Sequence, residues 1–535
     1  MQSHVTELIS QGTNLWGRRA SLDSLWQELA DNFYVERADF TTKRYLGDEF
    51  AAHLTTSYPL MVRRDLGNSF SSILRPSDKE WFYMAVDGVD SHDAKAWLEW
   101  ASKKQKRAMY ERASQFVRAT KEGDHDFAAF GQCVITVDIR PDRTGLLYRC
   151  WHLRDVVWTE GMDGQVETVH RKWRPTVSTL IQTFGEKAVG AEMKRRYEKD
   201  PHCEVEIRHV VIPTNQYKGE QKFRTKLVSI FINVEDGVEI EVSGVRVNPY
   251  VIPRWQTVSG SQYAYSAATV CALPDARLLQ AMTLTLLEAG EKAVNPPMIA
   301  TSDAIRGDIS LYAGGITWVD QQYDERLGEV LRPLGIDKTG LPLGLDMTND
   351  TRAMLRQAFF LDKLDLPIRG PEMTAYEVGQ RVQEYIRNAL PLFEPVETDY
   401  NGGLCERTFD VMLHAGAFGS VDEIPEELSE AEVQFKFVSP LRDAVEKQKG
   451  QTFAEASQII AQAVALDPGS ANVMDAKAAL RDTLEGIGVP VKWTRSVEQV
   501  QAISDQQAAM AQQEQALAAL QQGATVAKDL NEVAA

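Results

Sequence analysis

The sequence is poor in the signatures that mark a secreted scaffold, a zinc module or a nucleotide-driven motor. It has five cysteines in 535 residues. They are Cys133, Cys150, Cys203, Cys271 and Cys405, scattered and never in a CxxC pair. That pattern excludes a zinc ribbon and a disulfide framework and fits a reducing compartment. There is no run of 18 apolar residues, so no membrane-spanning helix is expected. The N-terminus, MQSHVTELISQGTNLW, is too polar for a secretory signal. Positive charge is also short: 58 Lys and Arg stand against 76 Asp and Glu, a net charge of −18. Such a chain is poorly suited to gripping nucleic acid over a broad basic face, although it can let a polyanion slide past.

Catalytic motifs are missing too. No GxxxxGK[ST] loop occurs; Gly335 to Gly340 has the first spacing, but Leu341 and Pro342 follow it. There is no HExxH and no EF-hand loop. Gly67-Asn68-Ser69-Phe70-Ser71 lacks the second glycine of a nucleophile elbow. His202 and His209 are seven residues apart, on opposite faces of a strand, which does not make a metal site. Asp422, Glu423, Glu426, Glu427 and Glu430 form one contiguous run, whereas a two-metal site draws its carboxylates from separate rigid elements. The run reads as a solvated face. No catalytic residue, cofactor or metal is expected.

The order of patterns along the chain gives an α+β protein of several units. Residues 1 to about 130 read as helical, with helices around Leu22–Phe33, Leu60–Leu74 and Ala94–Glu122. Lys103, Lys104, Lys106 and Arg107 lie on the outer face of the last, as a solvated charge run. From Gly131 the period changes to two. CVITVDIRP, GLLYRCWHL, VVWTEG and VETVHRKW predict antiparallel strands, and after a short helix at Thr176–Phe184 come CEVEIRHVVIP, KLVSIFINV, VEIEVSGV and YVIPRWQ.

Pro274 opens a long helix, LPDARLLQAMTLTLLEAGEKAV, with proline in the first turn, where its missing N–H costs nothing. It is apolar around much of its circumference, so it has to be covered on several sides, by its own domain or by neighbouring copies. A strand-and-turn stretch follows (MIATS, SLYAGGITWVD, EVLRPL), then a second helix over about Asn349 to Leu366. That helix leads into a stiff loop, Pro367-Ile368-Arg369-Gly370-Pro371-Glu372-Met373. Thr374 and Glu377 form a capping box for the next helix, which breaks at Gly402-Gly403 and resumes at Leu404. Beyond Asp422 lie an acidic linker, one strand in VQFKFVSPL, helices at Ala444–Leu466 and Met474–Ile487, and a Gln/Ala-rich tail from Ser496.

Five stretches resemble the portal (head-to-tail connector) proteins of short-tailed, T7-like bacteriophages, and they come in the same order. They are Trp26–Phe40, Leu60–Phe82, Phe127–Val137, Trp151–Glu160 and Met373–Glu384. The resemblance implies a non-enzymatic ring, usually of twelve subunits, at one capsid vertex, through which double-stranded DNA is packaged by the terminase and later ejected. It implies a portal fold: a wing over residues 1–272, a first stem helix at 273–295, a clip at 296–348 and a second stem helix at 349–366. A channel loop at 367–373, a wing spine helix at 374–420, a crown at 421–495 and a barrel helix or tail at 496–535 complete it. The channel loop implied by the family would be Pro367, Arg369, Gly370, Pro371 and Met373, with Arg369 the first candidate to touch DNA and Lys363 the second. Implied partners are other copies of the chain, DNA, the terminase large subunit, tail adaptor and tail tube proteins, and the major capsid and scaffolding proteins, with no membrane. The implied place is the virion, after assembly in the host cytoplasm. The alternatives are a DNA-processing enzyme, such as a nuclease or packaging accessory, and a capsid or tail structural protein without a DNA channel.

Overall fold

A computed structural model describes residues 2–45, 47–49, 51–88, 91–186, 189–200, 202–300, 331–333, 340–364, 394–420, 424–428, 431–437 and 453–462, and most positions from 475 to 513. The change of period at Gly131 is a real boundary. Before it lie α1 (Gln2–Arg18), α2 (Ala20–Phe33), α3 (Tyr58–Leu74), α4 (His92–Met109) and α5 (Phe116–Phe130), with one short strand, β1 (Phe82–Ala85). After it come β2 (Val134–Ile139) and β3 (Leu146–Trp151), which form a three-stranded sheet with β9 (Tyr250–Val251) in the order β3-β2-β9. β4 (Val156–Glu160), β5 (Val166–Trp173), β6 (Ile207–Pro213), β7 (Leu227–Asn233) and β8 (Val238–Val245) form an antiparallel meander in sequence order.

The meander is covered on both faces, which is why every residue of β6 is buried. Val5 and Leu8 of α1 pack on Val210, Ile212, Val228, Ile230 and Ile232. On the opposite face Val177 and Leu180 of α6 (Val177–Phe184) and Met193 of α7 (Ala191–Lys199) meet Ile207. Thr176 caps α6 by accepting from the Thr179 amide at 3.3 Å. A larger core joins α2, α3, α4 and α5 to β2 and β3, with Trp26, Phe33, Phe70, Trp81, Phe127 and Phe130 essentially inaccessible.

Three expectations about helices are corrected. The helix expected over Ala94–Glu122 is two helices, α4 and α5. They are separated by a 3₁₀ turn at Arg112–Ser114 and by Gln115, whose φ of 60° is left-handed. Ser114 holds the corner by donating to the Glu111 carbonyl at 2.8 Å. Gly402-Gly403 does not break the chain: a π-helical segment, Val396–Gly402, runs directly into α11 (Gly403–His414). Gly403 serves close packing, since a Cβ there would come within 3.0 Å of Val251. The long helix that Pro274 was expected to open begins at Thr269, leaving Pro274 inside it.

The wide π turn brings Tyr400 and Asn401 to the same buried cation. Arg75, at the end of α3, ion-pairs with Asp124 of α5, donates to Asn401 Oδ1 at 3.0 Å and lies 4.6 Å from the Tyr400 ring centre. Burial pushes the Asp124 carboxyl up while Arg75 pulls it down. Nearby, Arg37 pairs with buried Asp126 at 3.0 Å. A two-stranded ribbon adds a second link across the sequence: β1 pairs antiparallel with β12 (Gln434–Phe437), Phe82 facing Phe437.

Three histidines shielded from water, His170 and His209 buried and His125 half-buried, make folding pH-dependent. Burial, with Arg63 nearby, lowers the His125 pKa to about 4. Burial and Arg208 lower that of His170 to about 3, and burial and Arg171 depress His209 well below its usual value. All three are neutral when folded and protonate near 6.5 when unfolded. The unfolded state therefore binds more protons below that value, and stability falls as pH drops from about 6.5 toward 5. Each proton contributes about 1.4 kcal/mol per pH unit. Melting curves should be flat above pH 7 and fall several degrees by pH 5.5. Equal melting temperatures at pH 5.5 and 7.5 would refute this account.

Candidate functional site: the projecting helix pair

α8 (Thr269–Val294) and α9 (Gly340–Ala358) form an antiparallel pair, rooted in the core at one end and free of it at the other. The root of α8 is tied by side chains. Ser266 Oγ donates to the Ala128 carbonyl at 2.7 Å and accepts the Thr269 amide at 3.2 Å, and Thr269 Oγ1 donates to the Ala129 carbonyl at 2.6 Å. Ala272, Leu273, Ala276 and Leu279 are buried on that stretch. Gln280 ends it with a polar knot: its Oε1 accepts the Thr55 and Thr56 amides at 2.8 and 3.0 Å, and its Nε2 donates to the Thr56 carbonyl at 3.0 Å. From Gln280 to Val294 no residue of α8 is buried. That stretch projects by about 22 Å at 1.5 Å per residue.

The root of α9 is Leu355 and Phe359, both fully buried, with Phe359 ring-packed 5.4 Å from Phe33. Tyr58 donates to the Arg352 carbonyl at 3.3 Å, and burial pushes its hydroxyl pKa up. Leu341, Gly344, Thr348, Thr351 and Leu355 are the less accessible positions, at alternating spacings of three and four, and so form the seam toward α8. Gly344 allows the closest approach: a Cβ there would come within 2.7 Å of Leu286. α9 starts at Gly340, nine residues before the expected Asn349. Pro342 and Gly344 hide the helix in the sequence, yet proline is tolerated in a first turn and Gly344 is used for contact. At the far end β10 (Met298–Ala300) pairs antiparallel with β11 (Leu331–Pro333).

The outward sides of the pair are apolar and uncovered. Leu284 and Leu287 on α8 are 47% and 59% exposed, and Leu343, Leu345, Met347 and Met354 on α9 are 50% exposed or more. Surface leucines scattered singly are ordinary, but a row of them along two adjacent helices marks an interaction site. α8 is long and apolar enough to cross a membrane. Its geometry argues otherwise: the root is locked into the protein core, and the projecting part falls short of the ~30 Å a bilayer requires.

The loop residues singled out in the sequence, Pro367, Arg369, Gly370, Pro371 and Met373, lie outside the described residues. Lys363 falls in α10 (Leu361–Leu364), whose side-chain placement is described only for its first two residues. The helix expected to run unbroken to Leu366 is interrupted before α10 by Phe360, at φ 58°. Among the described residues no group of three His, Cys, Asp or Glu is placed to hold a metal ion. Sequence reasoning missed the Gln280 knot and the Arg75 cluster, because their members are far apart in the chain and no local spacing announces them.

The chain is 23% identical over 538 residues to the portal protein of Salmonella phage epsilon15, covering 98% of this chain and 95% of that one. It is 24% identical over 545 residues to the probable portal protein of Bordetella phage BPP-1, with the same coverage. Among solved structures it is similar to a chain of the virion of a native gene transfer agent particle, with TM-score 0.37 and 9% identity over 85% of this chain and 98% of the other. A chain from the neck of an empty gene transfer agent particle, computed with C6 symmetry, gives 0.37 and 10% over 81% and 90%. The description Bacteriophage head to tail connecting protein covers residues 5–494, from α1 through the helix pair to the C-terminal segments, and the chain belongs to that family.

Proposed function

We propose that this chain is the subunit of a portal ring at one capsid vertex. A separate terminase drives double-stranded DNA in through the central channel, the DNA leaves by the same route, and the tail attaches there. The ring itself is structural and catalyses nothing. Residues 1–272 serve as the wing, α8 and α9 as the stem, and the β10–β11 end between them as the clip. Residues 374–420 are the wing spine, 421–495 the crown, and 496–535 a barrel helix or tail. The clip end is where the terminase large subunit and later the tail adaptor and tail tube proteins bind. The major capsid and scaffolding proteins surround the ring, which assembles in the host cytoplasm and ends in the virion.

The observation that supports this reading is the uncovered apolar side of the α8–α9 pair. Neighbouring copies cover it if face meets a different face and the rotation closes, which makes a ring. We propose twelve copies, which carry twelve times −18, or −216 charges. Such an assembly does not cling to DNA, and contact is left to the one cation of the loop at 367–373 in each subunit, Arg369. Purified protein should have a mass near twelve times 59.9 kDa, about 719 kDa, with a central hole wide enough for duplex DNA in electron micrographs. A monomer under all conditions would sink the proposal.

The loop is tested separately. Arg369→Ala should leave the ring intact and reduce the number of genome-filled particles, because weak phosphate contacts are lost. Full genomes and normal infectivity in the variant would show that the loop does not touch DNA.

A further inference from the structure

A cleft of about 770 Å³ opens where the end of α4, the β2–β3 hairpin and the end of α11 meet. Its volume lies in the range of sites that take a ligand or the anchoring side chains of a peptide. The floor is apolar: Ile139, Leu146, Val411 and Met412 line it, and Ile139 is 42% exposed at the end of its strand. The rim carries Lys104, Arg107 and Arg143, with Glu111 as its acid. Lys104 sits 4.6 Å from the Trp100 ring centre. No described carboxylate pairs with Arg107 or Arg143. Three cations around an apolar floor, in a chain with 18 excess acids, are unusual.

Arg143 is held there by a rigid turn. Asp142 Oδ1 accepts the Thr144 amide at 3.1 Å and its hydroxyl at 2.8 Å, Arg140 pairs with Asp142 at 3.0 Å, and the Arg143 amide donates to the Arg140 carbonyl at 2.8 Å. The turn forces Arg143 to a φ of 56°, a left-handed conformation that glycine adopts without strain. A bulky residue kept at such a position points to a use for its side chain. The helix dipole accounts for Arg107 at the end of α4, but not for Arg143 on a hairpin.

We propose that this cleft is a docking site for an acidic amphipathic helix of a partner protein, with apolar side chains on the floor and carboxylates on Lys104, Arg107 and Arg143. Charge complementarity selects the acid, and the floor selects a peptide over nucleic acid. A single-stranded polynucleotide would need stacking surfaces, and a duplex would find no use for the apolar floor. Tyr110, the lining aromatic, is instead engaged by the protein, donating to the Arg75 carbonyl at 3.2 Å and accepting from Trp81 at 3.1 Å.

The test uses the full-length assembled protein and a fluorescein-labelled synthetic helix of about 14 residues, four turns, with leucines on one face and glutamates on the other. Saturable binding is expected at concentrations on the order of 10 µM. Arg143→Gly should weaken it at least about tenfold while melting at the same or a higher temperature, because glycine relieves the turn. Arg107→Glu should weaken it as much, and so should replacing the peptide's glutamates by glutamine. The proposal is overturned by affinity unchanged in these variants, by no saturation up to about 1 mM, or by equal competition from a duplex oligonucleotide. Loss of the assembled mass in Arg107→Glu would overturn it too, since the occupant would then be a second copy of the chain.

Discussion

Asp124→Ala is expected to destabilise the protein by about 3–5 kcal/mol, the cost of stripping one partner from a buried ion pair. Arg75 is 4% exposed and Asp124 1% exposed, so water cannot take the place of the lost carboxylate. Asn401 and the Tyr400 ring would remain, but neither carries a charge to balance the guanidinium. The damage should spread, because Arg75 ends α3, Asp124 lies on α5 and Asn401 lies in the π-helical segment far along the chain. Thermal melts should show a drop of many degrees, together with low soluble yield. The double replacement Arg75→Met with Asp124→Leu removes both charges and should recover most of the loss. If Asp124→Ala melts with the parent protein, the cluster is not holding these segments together.

Leu284→Glu combined with Leu287→Glu is expected to abolish the ring. Burying a leucine contributes about 1.5–3 kcal/mol. Closure repeats the loss at every interface, and a carboxylate pressed against a neighbour's apolar helix adds a desolvation cost. Both positions lie beyond Gln280, where α8 has left the core, so the fold of each subunit should be untouched. Mass measurement should give 59.9 kDa species or small oligomers, with an unchanged circular dichroism spectrum. An intact ring in this variant would move the interface elsewhere.

How much of this was legible in the sequence depended on the range of the interactions. β2 to β8 were readable to within a few residues, because a twofold period is a local signal. The exposed α8–α9 pair was foreshadowed by a helix apolar on most sides, which had to be covered by its own domain or by neighbouring copies. Helix ends were poorly legible where a residue served packing: Gly403 against Val251, and Gly344 against Leu286. The division between α4 and α5 depends on Gln115 in a left-handed conformation, which its residue type does not advertise. The Arg75 cluster and the β1–β12 ribbon were invisible, since each joins residues that only the finished fold brings together. The stiff loop expected at 367–373 lies outside the described residues, and its role is a matter for the Arg369 experiment.

The β1–β12 ribbon also sets a timetable for synthesis. Phe82 leaves the ribosome early, but Phe437, which it faces, emerges only after more than 350 further residues, on the order of half a minute at translation speeds of ~5–20 residues per second. Until then Phe82 and the stacked Trp81–Phe437 contact lack their partner, and the N-terminal helices wait with an open apolar edge. A chain truncated before Gln434 leaves that edge open and should be handed to chaperones or proteases.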